Sequence, residues 1–355
     1  MRLLYLTYKV DSESSIVGHV VGWIKALSEK FSRVEVICLS YSGENLPVNV
    51  KVHSLPQGTG LNTIKRIMHF CSLLLNFRNS VQVVFCQFSP EYVIGVAPFA
   101  LLFSWPVVFW YTHKQVSLKL RLATFFASRV VTASDKSFQI NTNKKEIIGH
   151  GINVDRFRPR LGEVKEPSVI LSVGRLASIK NYELLIDCIA YISNKYNSQD
   201  FELHIVGGEE DNLASGYRLL LQDKIKKLKL DDIVKLIGPI SYKDMVETYL
   251  DASVHINLCP TGGLDKSVLE GMACGVPTLV LNNSFAELDQ IPGGFEVLTS
   301  DHVEVISDKL VEYLNLSQHN RTINSDRIRR LVVEFHDEIK FIDKLSSSIQ
   351  QLIKQ

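Results

Sequence analysis

The feature that most constrains this chain is a rhythm. Short apolar runs rich in β-branched and aromatic residues alternate with longer stretches of helical period along most of its length. Arg2–Thr7, Val34–Ser40, Val81–Phe88, Val107–Thr112 and Val130–Ala133 read as strands. Val17–Lys30 and Asn62–Phe77 read as helices, the second with Lys65 and Arg66 on one face and Ile67, Phe70 and Leu74 on another. Alternation of this kind builds a parallel sheet covered by helices on both faces. The rhythm pauses at Asp155–Pro167, where Arg156, Arg158, Pro159, Arg160, Gly162 and Pro167 leave little periodicity. It then restarts with strands at Ser168–Val173, Glu202–Val206, Ile233–Ile237, Val254–Leu258 and Thr278–Leu281. Helices fall at Asn181–Lys195, Ala214–Lys229, Lys243–Leu250 and Lys266–Ala273, and the tail Ser325–Ile353 reads as one or two more. A chain of 355 residues has room for two domains. The expected fold is therefore α/β, with two doubly wound Rossmann-like domains facing across a cleft, residues 1–158 and 159–328.

In such sheets ligands sit beyond the carboxyl ends of the strands, so the loops to read are Tyr8–Ser15, Thr112–Val116, Gly174–Lys180, Gly207–Asn212 and Pro260–Lys266. Gly174-Arg175-Leu176-Ala177-Ser178-Ile179-Lys180 puts a guanidinium fork and a point charge on one loop. That pairing suits a diphosphate, although a solvated loop with ordinary basic residues reads the same way. Pro260-Thr261-Gly262-Gly263-Leu264-Asp265-Lys266-Ser267-Val268-Leu269-Glu270 is a Gly-rich turn running into a short helix. The free N–H groups of such a turn and helix start attract an anion. Glu270, about one turn inside, could accept hydrogen bonds from the adjacent hydroxyls of a ribose, or could be an exposed helix carboxylate.

The net charge of +1 conceals two halves. Residues 1–160 carry 19 basic and 9 acidic side chains, a surplus of +10, while residues 161–355 carry 20 and 29, a deficit of −9. Such asymmetry points to an anionic surface or substrate, or to attraction between the halves. The six cysteines show neither a CxxC nor a His/Cys metal spacing, and read as buried thiols of a reducing compartment. The apolar run Leu3–Leu6 is too short for a secretory signal. Tyr92–Thr112 holds no charged residue, but Gly95, Pro98 and Pro106 interrupt it. It reads as a buried helix, turn and strand, with Trp105, Phe109 and Trp110 in the core, in preference to a membrane-contacting segment.

Val173-Gly174-Arg175-Leu176 with Lys180, Leu203-His204-Ile205-Val206-Gly207, Leu236-Ile237-Gly238 and Pro260 through Pro277, in this order and spacing, resemble the retaining glycosyltransferases of family 4. The resemblance covers the second domain and reaches the first through Tyr111-Thr112-His113, His150 to Phe157, and the helix Ile16–Leu27 with His19. It implies the two-domain GT-B fold, with a last helix (residues 329–355, through Phe335 and Glu338) crossing back onto the first domain. It further implies that Arg175 and Lys180 hold the donor diphosphate and that Glu270 binds the nucleotide ribose. Val268 and Leu269 would approach diphosphate and ribose through backbone beside the turn Gly262-Gly263-Leu264, and His113 would touch the donor sugar. The loop from Ile237 to Ile240 would face the base. No metal or other cofactor is implied. Two positions depart from the family. A carboxylate usual eight residues before the ribose Glu is Gly262 here, so Asp265 is the nearest acid to meet sugar hydroxyls, unless Lys266 neutralises it. Ser14-Ser15 stand where Gly-Gly is frequent before the first helix. His19 could meet the acceptor or cap its own backbone. His150 reads as structural, Glu209-Glu210-Asp211 as a solvated acidic turn, and Lys144-Lys145 with Arg156, Arg158 and Arg160 as solvated bases.

The resemblance makes the chain an enzyme moving a sugar from a nucleoside-diphosphate sugar, UDP- or GDP-linked, to a saccharide or lipid-linked hydroxyl acceptor. Cell-surface polysaccharide or glycolipid assembly is the expected setting. The location would be the cytoplasm, on the inner face of the membrane where an anionic surface meets the basic domain, with no nucleic-acid partner. The competing reading is a catalytically weakened nucleotide-sugar-binding protein. An epimerase or phosphorylase on the same fold fits the loops less well, and no GxGxxG follows a strand as a dinucleotide dehydrogenase would need.

Overall fold

The computed structural model describes residues 1–160, 168–196, 200–209, 215–288 and 290–354. Part of the linker expected at Asp155–Pro167 and part of the acidic turn at Glu209–Asp211 lie outside the described residues. The chain forms two compact units, Met1–Gly151 with Glu338–Gln355, and Ile152–Asp337.

The first unit runs β1 (Arg2–Leu6), β2 (Lys9–Val10), α1 (His19–Lys30), β3 (Arg33–Cys38), β4 (Ser40–Tyr41), β5 (Val50–Ser54), α2 (Leu61–Asn76), β6 (Val83–Gln87), α3 (Pro90–Phe103), β7 (Val107–Trp110), α4 (Leu118–Phe126), β8 (Arg129–Thr132) and β9 (Lys145–Ile147). Seven strands pair in parallel in the order β5-β3-β1-β6-β7-β8-β9, and β2 pairs with β4 separately. Alternate residues of each strand feed opposite cores. Leu3 and Tyr5 pack with Val20, Trp23 and Leu27 of α1. Leu4 and Leu6 pack with Leu73 and Leu74 of α2, Val93 and Val96 of α3, and Leu120 of α4. The uncharged stretch is α3, a left-handed Ser104 and β7, with Trp105, Phe109 and Trp110 buried. Among the described residues no helix is long and apolar enough to cross a membrane.

The second unit runs β10 (Ser168–Val173), α5 (Tyr182–Tyr196), β11 (Phe201–Val206), α6 (Ser215–Lys227), β12 (Val234–Gly238), α7 (Met245–Leu250), β13 (Val254–Asn257), α8 (Lys266–Ala273), β14 (Thr278–Val280), β15 (Phe295–Val297), α9 (Val303–Leu314) and α10 (Gln318–Phe335). Its sheet is parallel, in the order β12-β11-β10-β13-β14-β15. The final helix, α11 (Glu338–Lys354), returns to the first unit. Phe341, Ile342, Leu345 and Ile349 are buried there at helical spacing, and the Phe341 ring lies 4.3 Å from Trp23. Each such side chain contributes roughly 1.5–3 kcal/mol.

Three readings need correction. The border falls after Gly151 and not after residue 158, because Ile152, Val154 and Phe157 pack in the second unit's core. Arg329 ties that segment down by donating to the carbonyls of Val154 and Phe157. The return begins at Glu338 and not at residue 329, since Phe335 ends α10 within the second unit. On α2, the face bearing Ile67, Phe70 and Leu74 is covered only toward its end: Ile67 is exposed, and only Leu73 and Leu74 are buried along the helix.

Candidate functional site

The order of each sheet dictates where a site can form. In the second unit the chain starts at β10, moves outward through β11 and β12, then returns to the other side of β10 at β13. The loops after β10 and β13 therefore diverge from neighbouring strand ends and leave a crevice between them, the usual ligand position in a doubly wound sheet. These two loops are Gly174–Lys180 and Leu258–Asp265.

Side chains stitch the crevice. Lys180, ending a single 3-10 turn, forms an ion pair with Asp265, which also accepts from Asn257 Nδ2 at 3.0 Å. Asn181 takes the left-handed conformation (φ 54°) and donates from Nδ2 to the Leu258 carbonyl at 3.1 Å, binding the two loops directly. Tyr182 donates to the Gly174 carbonyl at 2.9 Å, and Ser267 to that of Val173 at 3.2 Å. Gly207 (φ 155°) is required by a close approach. A Cβ there would lie 1.8 Å from the Gly174 oxygen, which no side chain tolerates.

Asp265 precedes α8 at its N-cap, yet its side chain caps nothing. Aspartate at that position ordinarily binds the first free amides; here the carboxylate is turned to Lys180 and Asn257. Burial would lift its pKa, but the Lys180 charge and the hydrogen bonds from Lys180 and Asn257 hold it below the ordinary value. The amides of Val268 and Leu269 donate to the Asp265 carbonyl at 3.1 and 3.3 Å, and both side chains are fully buried. The amides of Lys266 and Ser267 open the first turn, ahead of these donors.

Glu270 is buried, which excludes the exposed-carboxylate reading. Tyr249 donates to one carboxylate oxygen at 3.4 Å and Lys266 Nζ lies 3.3 Å from the other. Burial pushes its carboxyl above the ordinary value against both partners. The Lys266 ammonium also lies 4.9 Å from the centre of the Tyr242 ring, with Arg156 at the same distance. Packed against the Tyr249 ring, the His255 imidazole is fully buried and neither ring nitrogen has a hydrogen-bond partner among the described residues. Burial pulls its pKa down to about 4.

Residues 153–329 match the family model described as glycosyl transferases group 1. The chain belongs to the group 1 glycosyl transferases. Mannosylfructose-phosphate synthase of Agrobacterium fabrum is 32% identical over 117 residues, 32% of this chain and 25% of that protein. The GDP-mannose-dependent monoacylated alpha-(1-6)-phosphatidylinositol monomannoside mannosyltransferase of Corynebacterium glutamicum is 28% identical over 188 residues, 48% of this chain and 47% of that one. The matches thus span less than half of either relative. Among solved structures, Anabaena HepE in complex with UDP and glucose superposes with a TM-score of 0.78 at 14% identity, covering 99% of both chains. Sucrose-phosphate synthase from Thermosynechococcus elongatus does so with the same score, identity and coverage. At that identity these two establish the GT-B arrangement of Rossmann-like domains and nothing more.

Within this group 1 chain, the second unit brings Lys180, Asp265 and the turn Gly262-Gly263-Leu264 to one crevice, with Arg175 on the same loop as Lys180. Gly262 takes φ 128°, and a Cβ there would meet Asn282 Nδ2 at 3.7 Å; its carbonyl accepts from Ser284 at 2.8 Å and that of Gly263 from Asn282 at 2.9 Å. Ile237 is exposed and Ile240 half-buried at the end of β12. In the first unit, Ser14 accepts from the Val17 amide at 3.3 Å in the turn before α1, where Ser15 is exposed. His19 is buried against Trp23 and Phe88, His113 is exposed beside Tyr111, and His150 is buried against Trp110.

The partner of Asp265 is Lys180 and not Lys266, because Lys266 points back along its helix to Glu270. The bases expected to be solvated are mostly engaged: Lys144 donates to the Thr124 and Phe125 carbonyls, Lys145 pairs with Asp135, and Arg160 with Glu247. Asn257, Asn181, Tyr249 and Asn282 were not anticipated. Asn257 alone left a signal, as an amide ending the buried strand β13.

Proposed function

We propose that this chain transfers a sugar from a nucleoside-diphosphate sugar to a hydroxyl acceptor with retention at the anomeric carbon, in the assembly of a cell-surface polysaccharide or glycolipid. One observation carries the proposal: a cation, Lys180, held at the second unit's switch point by the Asp265 carboxylate, which Asn257 steadies in turn, with Arg175 on its own loop and the buried Glu270 in the adjoining helix. An incoming diphosphate competes with Asp265 for the Lys180 ammonium and meets the first-turn amides of Lys266 and Ser267. Glu270 offers paired acceptor oxygens to ribose hydroxyls once Lys266 yields. Ile237 and Ile240 face the base, Asp265 and His113 the donor sugar, and Ser14, Ser15 and His19 belong to the acceptor side.

In the reaction the bond from the anomeric carbon to the diphosphate oxygen breaks, the bond to the acceptor oxygen forms on the same face, and the departing diphosphate takes the acceptor proton. The protein contributes positioning and electrostatic stabilisation of the departing charge. A UDP- or GDP-linked donor agrees with a relative named for GDP-mannose and a similar fold holding UDP and glucose. No cofactor is assigned, and among the described residues no cluster of three or more His, Cys, Asp or Glu could hold a metal ion. The cytoplasmic face of the membrane is the proposed location.

Gly262 and the neutralised Lys180 favour a second reading, a nucleotide-sugar-binding protein with little turnover. Thermal stabilisation by a panel of UDP-, GDP- and ADP-sugars, followed by nucleotide release with saccharide and lipid-linked acceptors, separates the two. Stabilisation with release supports transfer; stabilisation without release under every acceptor supports the binding protein; no stabilisation by any member overturns both.

A further inference from the structure

Lys266 stands where its helix gains nothing from it. It is the first residue of α8, and a cation there opposes the partial positive charge of the helix start. Its ion pair with Glu270 runs in the poorer direction, since the favourable order puts the carboxylate N-terminal to the cation. A lysine at that place serves an anion arriving at the helix start, where it adds a full charge to the dipole and the first-turn amides. Its ammonium is nevertheless turned along the helix, 3.3 Å from Glu270 Oε1 and 4.9 Å from the centre of the Tyr242 ring.

That resting place can be given up. Glu270 is held on its other oxygen, where the fully buried Tyr249 donates to Oε2 at 3.4 Å, so the carboxylate keeps its position when Oε1 changes partner. The Tyr242 ring also carries the Arg156 guanidinium, 4.9 Å from its centre. Like charges on one ring repel, and the lysine has the flexible stem on which to leave. The destination is near. Lys266 follows Asp265 directly, about 3.8 Å away along the chain, so the base of its side chain adjoins the carboxylate that pairs with Lys180.

We infer that Lys266 is a transferable counter-ion: when ribose hydroxyls take Glu270 Oε1, the displaced ammonium moves to the diphosphate of the same ligand. The inference rests on the proposed nucleoside-diphosphate donor. It makes recognition of ribose and of diphosphate interdependent, so the crevice selects an intact ribonucleoside diphosphate over a diphosphate that lacks ribose hydroxyls.

The experiment is calorimetric titration of UDP, GDP and their 2′,3′-dideoxy forms into the full chain. Wild type should bind the better ribonucleotide more tightly than its dideoxy form. Lys266→Met should weaken that ribonucleotide by about tenfold, the order expected for one charge-assisted contact. It should leave the dideoxy form unchanged, because without hydroxyls to displace it Lys266 stays on Glu270. A thermal melt checks the fold of the variant, and Lys266→Gln gives the same comparison should the methionine chain not fold. Equal weakening of both forms would make Lys266 a fixed diphosphate ligand, and weakening of neither would make it structural; either result overturns the inference. So does tighter ribonucleotide binding in Lys266→Met, or a wild type that binds both forms alike. In that last case weakening by Lys180→Ala leaves the diphosphate site standing. Absence of binding by both UDP and GDP overturns the inference and the donor reading together.

Discussion

The two units use the same sheet logic and close their switch points with different chemistry. In the first unit the crevice between β1 and β6 is shut by neutral groups. Gln87 accepts from Tyr5 at 2.6 Å and from Thr7 at 2.9 Å, and Tyr92 donates to the Thr7 carbonyl at 3.0 Å. In the second, the equivalent crevice between β10 and β13 holds Lys180, Asp265, Lys266 and Glu270 in two ion pairs. Neutral hydrogen bonds suffice to hold a crevice in shape. Part-buried ion pairs carry a desolvation cost that a structural role does not require. The contrast teaches that the repeated fold is a frame and that the chemistry was placed in one copy of it. The segment bearing the charged crevice is also the acidic half of the chain, so the anionic donor we propose would be attracted by these local cations against the surrounding field.

The strongest way to break this comparison is to remove the cations. Lys180→Ala and Arg175→Ala should each lower turnover of a nucleotide sugar by about two to three orders of magnitude, the range expected when one stabiliser of departing charge is lost. Steady-state rates near wild type in both variants would erase the distinction between the crevices.

A second effect concerns His255, packed against the Tyr249 ring. Its pKa lies near 4 in the folded chain, below the ordinary value of 6.5, because burial disfavours the imidazolium. As pH falls below 6.5 the unfolded chain takes up a proton that the folded chain refuses until about 4. Stability is therefore present in full above that window and is lost across it, by about 3–4 kcal/mol. Urea denaturation of wild type against His255→Asn should show that slope disappear in the variant; an unchanged slope would remove His255 from the account.

Asp265→Asn sharpens the contrast with an opposite sign. It frees Lys180 from its counter-charge, so the affinity for UDP or GDP alone should rise by about tenfold while the melting temperature falls. Calorimetric titration checks the first part and a thermal melt the second; weaker nucleotide binding would show that Asp265 itself organises the diphosphate site.

The smallest effect belongs to the neutral crevice. Tyr5→Phe should cost about 1 kcal/mol of stability through the lost Gln87 hydrogen bond, and leave nucleotide affinity unchanged.

Much of this was legible in the residues. The strand–helix rhythm located both sheets because central parallel strands are buried on both faces and stay apolar throughout. The loops bearing Lys180 and Asp265 followed from the rule that ligands sit at strand ends. What escaped was pairing between distant positions. Nothing in the spacing of Asp265 and Lys266 reveals that the first turns to Lys180 and the second to Glu270. The Lys180 pair depends on β10 and β13 being neighbours, which sequence order conceals, and once Asp265 is taken Lys266 is left to its i,i+4 neighbour. The domain border escaped for the same reason, since Ile152 and Phe157 look like linker until Arg329 is seen to hold the carbonyls beside them. On α2 the helical period was plain, but period alone does not say how far along the helix a face is covered, so exposed Ile67 and buried Leu74 read alike.

The central claim, that the charged crevice of the second unit is the nucleotide-diphosphate site, is tested most directly by calorimetric titration of UDP and GDP into wild type, Lys180→Ala and Tyr5→Phe. The account predicts saturable binding to wild type, about tenfold or greater weakening in Lys180→Ala, and wild-type affinity in Tyr5→Phe. Equal affinity in wild type and Lys180→Ala, or weakening confined to Tyr5→Phe, would contradict it.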